Sequence, residues 1–331
     1  MRIAVFDSKQ YDRTALNAAN LQHQHELVFF DDRLNIKTVP LAEGFDVVCP
    51  FVNDKLDAPT IAKLAKLGVQ LIALRCAGFN GVDLNAAAQH GIPVTRVPAY
   101  SPEAVGEYVF ALLLTLIRKT HRAFNRVRDG NFSLDGLEGF NLHGRTFGVV
   151  GAGKIGLATA RIARGFGLKV LAYDPYPPAV CEVGCEFVSL DELLAQSDIV
   201  SLHSPLFPTT HHMINETSLA KMKKGVVIIN TSRGGLINTV DLIKSLKSGH
   251  VGGVGLDVYE HEEGVFFEDL SDSMLDDDVL ALLTTFPNVL ITSHQGFLTS
   301  EALDNIAASV LHSVAEFAQQ QPLSNEVKAG A

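Results

Sequence analysis

The sequence predicts an α/β protein with two domains, each built on a doubly wound parallel sheet. Short apolar runs of strand length alternate with segments of helix length along nearly the whole chain, and this alternation is typical of parallel sheets covered by helices. The chain has 331 residues, which exceeds the size at which one hydrophobic core usually stops growing. No short repeat period interrupts the pattern, so a solenoid is excluded.

Composition and charge narrow the class of protein. The chain is 47% hydrophobic and 19% charged, with a formal net charge of −10, which is typical of a globular protein and unfavourable for a nucleic-acid-binding surface. The N-terminal apolar run ends at Asp7, too early for a signal peptide. The most apolar window, Val105–Ile117, is too short to span a bilayer. We therefore expect a cytoplasmic protein that binds neither nucleic acid nor membrane.

The first domain is expected to span residues 1–100 and to include residues 298–331, because the last predicted helix has no strand after it. It contains no glycine-rich phosphate-binding sequence, which makes it the candidate substrate domain. The loop Arg75–Asn80 follows a strand, where open α/β sheets bind ligands. Backbone N–H groups of Ala77 and Gly78 suit a carboxylate there, unless the loop is an ordinary turn. The predicted strands are Arg2–Phe6, Glu26–Phe30, Phe45–Pro50, Leu71–Leu74 and Gly91–Val94, and the helices include Tyr11–Asn20 and Pro59–Leu67.

A long helix is predicted from Pro102 to about Asp129. Ser101 and Pro102 suit the N-cap and first positions of a helix. The half Val105–Ile117 is apolar nearly all round, so it must be buried on more than one side. We interpret this helix as the crossing into the second domain, residues 101–297, and as the surface of a homodimer or homotetramer. The alternative is a core helix within one chain.

The second domain contains a glycine-rich loop between a strand and a helix. The apolar run Thr146–Val150 predicts a buried strand, and Leu157–Phe166 predicts a helix. Gly151, Gly153 and Gly156 have the G-x-G-x-x-G spacing of loops that bind a pyrophosphate at a helix N-terminus. An ordinary glycine-rich turn has the same spacing, so these residues alone do not decide between the two.

An acidic residue after the next strand favours a dinucleotide. The run Lys169–Asp174 ends eighteen positions after Gly156 (174 − 156), near the ~20 at which a carboxylate binds the ribose hydroxyls. Asp174 repels a 2′-phosphate and no arginine follows it directly, so NAD is predicted in preference to NADP. The alternative is a surface acid before Pro175. Further strands are predicted at Cys185–Val188, Asp198–His203, Val226–Asn230, Val251–Val258 and Asn288–Thr292, with helices at Ser189–Leu194, Glu216–Met222, Leu236–Leu246 and Thr299–Gln319.

Neither the cysteines nor the histidines predict a metal site. Four cysteines in so long a chain do not indicate a disulfide framework. Cys181 and Cys185 have no second pair or suitably spaced histidine with which to bind zinc. His203, His211 and His212 lack a helical H-E-x-x-H pattern and are interpreted as loop and surface histidines. We expect no bound metal.

Three strands of the second domain end in side chains that suit hydride transfer. Arg233 lies among small residues after Val226–Asn230, where its guanidinium can bind a carboxylate through two parallel hydrogen bonds. A glutamate of the run Glu260–Glu263 and the imidazole of His294 follow later strands and can form an acid–base pair. The pattern does not choose among the glutamates, and each residue alone also fits a solvated surface.

A resemblance to a known family rests on four segments, Gly151–Gly156, Asn230–Gly235, Gly255–Glu262 and Ser293–Thr299. The chain resembles the D-specific 2-hydroxyacid dehydrogenases, and most closely the fermentative D-lactate dehydrogenases, over essentially its whole length. The resemblance implies a flavodoxin-like substrate domain and a Rossmann NAD-binding domain. It also implies that Arg233 binds the substrate carboxylate, that His294 is the acid and base, and that Glu262 pairs with His294.

The same resemblance implies the cofactor and substrate contacts. Lys154 departs from the residues often found at its position in the family, and its place inside the phosphate turn suits an added phosphate contact. The implied contacts are Gly151, Gly153, Lys154, Ile155, Gly156, Asp174, Pro205, Leu206, Thr210, Thr231, Ser232 and Asp257 for NAD, and Ala77, Gly78, Phe79, Tyr100 and Phe297 for the substrate.

The reaction implied is the reversible reduction of pyruvate by NADH to D-lactate. Phe79, Tyr100, Phe297 and Leu298 suggest a tight apolar pocket that suits a methyl group. The first alternative is a dehydrogenase for another D-2-hydroxy acid, longer or phosphorylated. The second is an NAD-sensing protein similar to the corepressors that share this fold, which would bind NADH without appreciable turnover.

Overall fold

The computed structural model describes residues 1–178 and 180–328, and it divides into two compact units. Unit 1 consists of residues 1–101 and the segment from Phe297 onward, and unit 2 is Pro102–Gly296. Each unit contains a sheet in which all the paired strands are parallel. The predicted fold class, two doubly wound α/β domains, is confirmed. Among the described residues, no helix combines the length and apolarity that a membrane crossing requires.

Unit 1 begins with β1 (Arg2–Val5), α1 (Gln10–Asn20), β2 (Glu26–Phe29), β3 (Val47–Cys49), α2 (Ala58–Lys66), β4 (Leu71–Ala73), α3 (Leu84–Gln89) and β5 (Val94–Thr95). The strands pair in the order β2-β1-β3-β4-β5. The order reverses at β1, since the chain places β2 on one side of it and β3 on the other. Ligands of open α/β sheets bind outside the carboxyl ends of the strands at such a reversal.

A buried arginine holds the carboxyl ends of these strands together. The Arg75 guanidinium donates hydrogen bonds to Asp12 Oδ1 at 3.2 Å, to the Cys49 carbonyl at 3.2 Å and to the Asp7 carbonyl, and it lies over the Phe51 ring. These partners offset the cost of removing its charge from water. The Arg75 side chain is 1% exposed, so it anchors the start of the predicted ligand-binding loop from inside.

Unit 2 and the C-terminal helix follow in chain order as α4 (Pro102–Arg118), α5 (Thr120–Arg128), β6 (Thr146–Val150), α6 (Lys154–Gly165), β7 (Lys169–Tyr173), β8 (Glu186–Phe187), α7 (Leu190–Gln196), β9 (Ile199–Leu202), α8 (Glu216–Lys221), β10 (Val226–Asn230), α9 (Thr239–Lys247), β11 (Val251–Leu256), α10 (Asp278–Thr285), β12 (Val289–Ile291) and α11 (Ser300–Ala318). The strands of unit 2 pair in the order β12-β11-β10-β9-β6-β7-β8. The order reverses between β6 and β9, so their carboxyl ends flank the expected ligand site.

The predicted long helix is two helices. Lys119 has a left-handed backbone, with φ of 53°, and its Nζ donates to the Gly136 carbonyl at 2.9 Å. Packing explains the break: α4 buries Val109 and Leu113 within unit 2, whereas α5 has no buried residue. A straight continuation of α4 would carry the polar residues of α5 along the line of a buried apolar helix. α4 is therefore a core helix of unit 2.

The four cysteines comprise one disulfide pair and two free thiols. Cys181 and Cys185 form a disulfide bond with their Cα atoms 5.5 Å apart. This bond closes a short turn after β7 and joins no separate elements, so it does not act as a framework. Cys49 and Cys76 are buried thiols. α11 returns to unit 1, where it packs against α1 and β4.

Candidate active site

The glycine-rich loop has the geometry that a phosphate requires. Gly151 has φ of +97°, and a Cβ there would lie 2.7 Å from the backbone of His203 and Ser204. A Cβ on Gly156 would lie 2.0 Å from the Gly151 carbonyl oxygen, whereas one on Gly153 would meet no atom within 4 Å. The fold of the protein therefore requires glycine at Gly151 and Gly156, because a Cβ at either position would clash with the backbone. Gly153, the N-cap of α6, leaves backbone open to a ligand at the positive end of the helix dipole.

Asp174 lies beside this loop. Its Oδ2 accepts a hydrogen bond from the Ala152 N–H at 2.9 Å, and its Oδ1 accepts from the Tyr176 N–H at 2.9 Å. Each oxygen retains a lone pair, so the carboxylate can still accept from a ribose hydroxyl. Lys154 and Ile155 form the first turn of α6, where the Lys154 side chain is exposed.

The segment after β9 forms a turn held by its own threonine. Thr210 Oγ1 donates to the Pro205 carbonyl at 2.7 Å and accepts from the Phe207 N–H at 2.8 Å. This hydroxyl shapes the turn that carries Pro205 and Leu206. His203, at the start of the segment, was interpreted as a surface histidine. It is partly buried and shares a hydrogen bond with Ser201 Oγ at 2.9 Å, so that interpretation is wrong.

Two neighbouring hydroxyls follow β10 and have different surroundings. Ser232 Oγ donates to the Ser204 carbonyl at 2.8 Å and so ties the end of β10 to the end of β9. Thr231 Oγ1 is buried and has no hydrogen-bond partner within the described residues. Buried hydroxyls in folded proteins usually have a partner. The unsatisfied Thr231 hydroxyl therefore marks a place where a ligand can bind.

Arg233 follows these hydroxyls and is partly buried. Its Nη1 donates to the Ser232 carbonyl at 2.6 Å, and the Asn230 side chain donates to the Arg233 carbonyl at 2.9 Å. Within residues 1–178 and 180–328, the guanidinium pairs with no carboxylate. Residues Gly234–Leu236 form a 3-10 turn, so α9 begins at Thr239 and not at Leu236 as predicted. Most donors of Arg233 remain available for an anion.

Asp257 organises the segment that carries His294. Its Oδ1 accepts from Thr292 Oγ1 at 2.6 Å and the Gln295 N–H at 2.9 Å, and its Oδ2 accepts from the Gly296 N–H at 2.8 Å. The His294 N–H donates to the Asp257 carbonyl at 2.7 Å. His294 itself is left-handed, with φ of 54°. Such strain in a residue other than glycine is typical of functional sites, and Asp257 maintains it.

The choice among the glutamates is resolved by contact. His294 Nδ1 and Glu262 Oε1 are 3.0 Å apart, and both side chains are mostly buried. Glu262 Oε2 accepts from the Tyr259 N–H at 3.3 Å. Glu260 instead contacts His212 and Thr239, and Glu263 is exposed. Because a carboxylate accepts from Nδ1–H, the other nitrogen of His294, Nε2, can exchange a proton with a substrate.

Sequence reasoning missed two aromatic residues, Phe267 beside His294 and Tyr108 beside the segment that carries His294. The Phe267 ring lies 5.8 Å from the His294 ring, centroid to centroid. Tyr108, on α4, is hydrogen-bonded to Thr292 and Gln295, and burial raises the pKa of its hydroxyl. Tyr108 lies within the apolar half of α4. A residue with a hydroxyl group within an apolar helix was the sequence signal that could have identified it. Nothing local in the sequence points to Phe267.

The other residues predicted to bind the substrate lie in unit 1. The Ala77 carbonyl accepts from Arg96 Nη1 at 3.2 Å, and the Arg96 guanidinium lies 5.2 Å from the Phe79 ring centre. Within the described residues the backbone N–H groups of Ala77 and Gly78 have no acceptor, as a carboxylate-binding loop requires.

An aromatic cluster surrounds another predicted substrate residue. The Phe297 ring is contacted by the rings of Tyr11, Phe51 and Tyr100, with centroid distances of 6.4, 6.0 and 6.4 Å. Phe297 is 9% exposed, whereas Leu298 is 45% exposed. Phe297 is therefore packed within an aromatic cluster of unit 1, whereas Leu298 is largely exposed.

Comparisons with known proteins agree with this geometry. Residues 110–296 match the model of the D-isomer specific 2-hydroxyacid dehydrogenase NAD-binding domain. The chain is 48% identical to D-lactate dehydrogenase of Escherichia coli over 328 residues, which cover 99% of this chain and 100% of that protein. It is 52% identical to a 2-hydroxyacid dehydrogenase homolog of Haemophilus influenzae over 315 residues, 95% of each chain.

Solved structures give the same result. The apo-structure of D-lactate dehydrogenase from Escherichia coli superposes with a TM-score of 0.91 at 47% identity, covering 99% of this chain and 100% of that one. The pyruvate reductase of Chlamydomonas reinhardtii gives a TM-score of 0.92 at 47% identity, covering 98% of each chain. The predictions of an enzyme and of NAD as its cofactor are confirmed. The chain belongs to the family of NAD-dependent D-isomer-specific 2-hydroxyacid dehydrogenases.

Proposed function

We propose that this protein catalyses the reversible reduction of pyruvate to D-lactate with NADH. The observation that supports this best is the topology of the three predicted catalytic residues. Arg233, Glu262 and His294 follow β10, β11 and β12, which are adjacent parallel strands. An unpaired guanidinium and a carboxylate-bound imidazole are thus carried at one edge of the sheet, as an acid–base reaction on a keto acid requires.

The described residues fit NAD. We propose that the backbone at Gly153 and Lys154 holds the pyrophosphate, that Asp174 binds the adenosine ribose, and that Thr231 Oγ1 binds on the nicotinamide side. When bound, the reduced cofactor supplies the hydride. Gly151, Gly156 and Ile155 would contribute by shaping the phosphate loop.

Other residues assigned to the cofactor would act mainly through structure. The Thr210 and Ser232 hydroxyls and the Asp257 carboxylate are already engaged in hydrogen bonds that fix loops. We propose that they hold the walls of the cofactor site, with Pro205 and Leu206 against the adenine. Their replacement would therefore weaken cofactor binding without removing a direct polar contact.

Arg233 would bind the substrate carboxylate. Its planar guanidinium can form two parallel hydrogen bonds to a carboxylate, and no carboxylate of the described protein competes for it. This contact orients the keto group of the substrate. It also selects 2-keto acids over simple ketones and aldehydes, because a simple ketone or aldehyde leaves the partly buried guanidinium without a carboxylate partner.

His294 would donate the proton. Its Nε2–H protonates the carbonyl oxygen of the keto acid as C2 receives the hydride, and the hydroxyl group of the product results. Glu262, 3.0 Å from Nδ1, orients the imidazole and stabilises its charged form before transfer. In the reverse direction neutral His294 accepts the hydroxyl proton. Because a proton is consumed in reduction, lower pH favours D-lactate formation and higher pH favours its oxidation.

We propose that Ala77, Gly78, Phe79, Tyr100 and Phe297 contribute the substrate side. The free N–H groups of Ala77 and Gly78 suit a carboxylate, and the aromatic cluster around Phe297 suits a methyl group. A structure titled D-2-hydroxyisocaproate dehydrogenase is also similar, with a TM-score of 0.88 at 31% identity. A longer 2-hydroxy acid is therefore the second candidate.

We further propose a homo-oligomer in the cytoplasm, where NADH is available. α5 has no buried residue, and the exposed Phe124 and Val127 on it are followed by Phe132 and Leu134, 74% and 81% exposed. An apolar surface of this kind marks an interaction site, and a second copy of the chain is its proposed partner. Sedimentation equilibrium tests this; a monomeric mass at micromolar concentration would contradict it.

The activity is tested by following NADH oxidation with pyruvate, 2-oxobutyrate, 2-oxoisocaproate and hydroxypyruvate, and by determining the chirality of the product. We expect the highest kcat/KM with pyruvate, D-lactate as product, and weaker use of NADPH. A higher kcat/KM with 2-oxoisocaproate would favour the second candidate. NADH binding without turnover of any keto acid would instead support a corepressor-like sensor.

A further inference from the structure

A second histidine–glutamate cluster lies outside the residues assigned to cofactor and substrate. It consists of His211 and His212, in the segment between β9 and α8, and Glu260, in the loop after β11. Each side chain offers one ligand atom, and these atoms lie within 4.8 Å of one another. The cluster joins two segments that are distant in sequence.

The backbone places both imidazoles on the same side of their segment. His212 is left-handed, with φ of 52°, and the rings of His211 and His212 are stacked with centroids 3.8 Å apart. The His212 N–H donates to the Gly235 carbonyl at 2.8 Å, and the Asn215 side chain donates to the His212 carbonyl at 2.9 Å. The strained conformation is therefore fixed by the 3-10 turn after Arg233 and by the N-cap of α8 before any ligand binds.

Glu260 is held from its other side. Its Oε2 accepts from the Thr239 N–H at 3.2 Å and from Thr239 Oγ1 at 2.8 Å, while its Oε1 contacts His212 Nε2. Burial raises the pKa of Glu260, the hydrogen bonds from His212 and Thr239 lower it, and the net direction is downward. The carboxylate is thus ionised at neutral pH, with one oxygen directed at the histidines.

We propose that His211, His212 and Glu260 form a zinc site. Two imidazole nitrogens and a carboxylate oxygen are a donor set that Zn²⁺ binds, and three protein ligands leave a fourth position for water. The ion would replace the His212–Glu260 hydrogen bond with metal–ligand bonds and recruit the exposed His211. By linking the segment before α8 to the loop after β11, it would stabilise the folded state.

The test is a titration of tag-free, EDTA-treated protein with Zn²⁺, followed by calorimetry and thermal unfolding. We expect one equivalent to bind and to raise Tm by about 2 °C or more, with reversal by EDTA. Co²⁺ in place of Zn²⁺ should give the intense visible absorption of a tetrahedral ion. These readouts do not depend on turnover, so the result stands or fails separately from the proposed activity.

Variants identify the ligands. His211→Ala removes an exposed side chain and should weaken Zn²⁺ binding about 10-fold or more, since losing even an outer-shell partner has that effect. Glu260→Gln should do the same. His261→Ala, which removes an exposed histidine next to Glu260, is the matched control and should bind Zn²⁺ like the wild type. Equal affinity in the wild type and His211→Ala, or no binding to the wild type, would overturn the proposal.

Discussion

Two glutamates two positions apart each bind a histidine, and the surroundings of the two pairs differ. Glu262 contacts Nδ1 of His294, and its second oxygen accepts only a long backbone hydrogen bond, 3.3 Å, from Tyr259. Glu260 contacts Nε2 of His212, and its second oxygen is fixed by both donors of Thr239. The first pair leaves an imidazole nitrogen for a substrate. The second pair ties loops together.

The difference shows that a histidine–carboxylate contact does not by itself indicate proton transfer. The strand that precedes each histidine determines where the imidazole lies and therefore its role. His294 follows β12, next but one to the strand that precedes Arg233, whereas His212 lies further along a turn that packs on the 3-10 turn after Arg233. Replacing each partner separately tests whether this distinction is correct.

The largest expected effect is that of His294→Gln. Removing a positioned acid and base costs about 10²- to 10⁴-fold in rate, so kcat should fall by this amount for both pyruvate reduction and D-lactate oxidation. Fluorescence titration should give nearly unchanged NADH affinity, because the imidazole is not assigned to the cofactor. A kcat within threefold of the wild type would exclude His294 as the acid.

Arg233→Gln should have the next largest effect. Removing one partner of a desolvated charge pair costs about 2–5 kcal/mol, so kcat/KM for pyruvate should fall about 30- to 5,000-fold. Arg233→Lys is the matched comparison, since it retains the charge and loses the planar fork, and it should recover part of the loss. If the two variants and the wild type share one KM for pyruvate, the substrate carboxylate is bound elsewhere.

Glu262→Gln and Glu260→Gln compare the two pairs directly. Glu262→Gln should lower kcat about 10- to 100-fold, less than loss of the imidazole, because the imidazole loses the carboxylate that orients it. Glu260→Gln should mainly lower stability, by about 1–3 kcal/mol for the weakened charged hydrogen bonds. Glu263→Gln, at an exposed position, is the control for both. Equal kcat losses in the first two variants would remove the distinction between the pairs.

Much of the fold and part of the site could be predicted because the signals are local. Gly151 must be glycine for its positive φ and Gly156 for its contact with the Gly151 carbonyl, so their spacing carries the loop geometry. Arg233 and His294 were singled out because parallel strands bring their carboxyl ends to one edge. That argument needs only the order of strands and polar residues along the chain.

Other features could not be predicted because they depend on distant contacts. The buried position of Arg75 depends on Asp12 and Cys49, which are distant in sequence. The break at Lys119 depends on which half of the helix finds a core. Glu260 and Glu262 lie in the same acidic run after β11 and differ in the histidine that each one contacts. Residue spacing alone therefore could not choose between them as the partner of His294.

The smallest expected effect concerns His203, which contacts the Ser201 hydroxyl and, among the residues that the structure describes, no carboxylate. Burial lowers the pKa of His203 to about 4, and an unfolded histidine titrates near ~6.5. Between these values the unfolded chain binds more protons than the folded one, so this contribution to stability is full above pH ~6.5 and is lost as pH falls toward 4. The loss is at most about 3 kcal/mol.

Urea unfolding at pH 7 and pH 4.5 should therefore show a smaller drop in unfolding free energy for His203→Gln, which can still bond to Ser201, than for the wild type. The same drop in both would mean that His203 is protonated in the folded protein at pH 4.5. The contrast between histidines that contact a carboxylate and a histidine that contacts a hydroxyl would then fail.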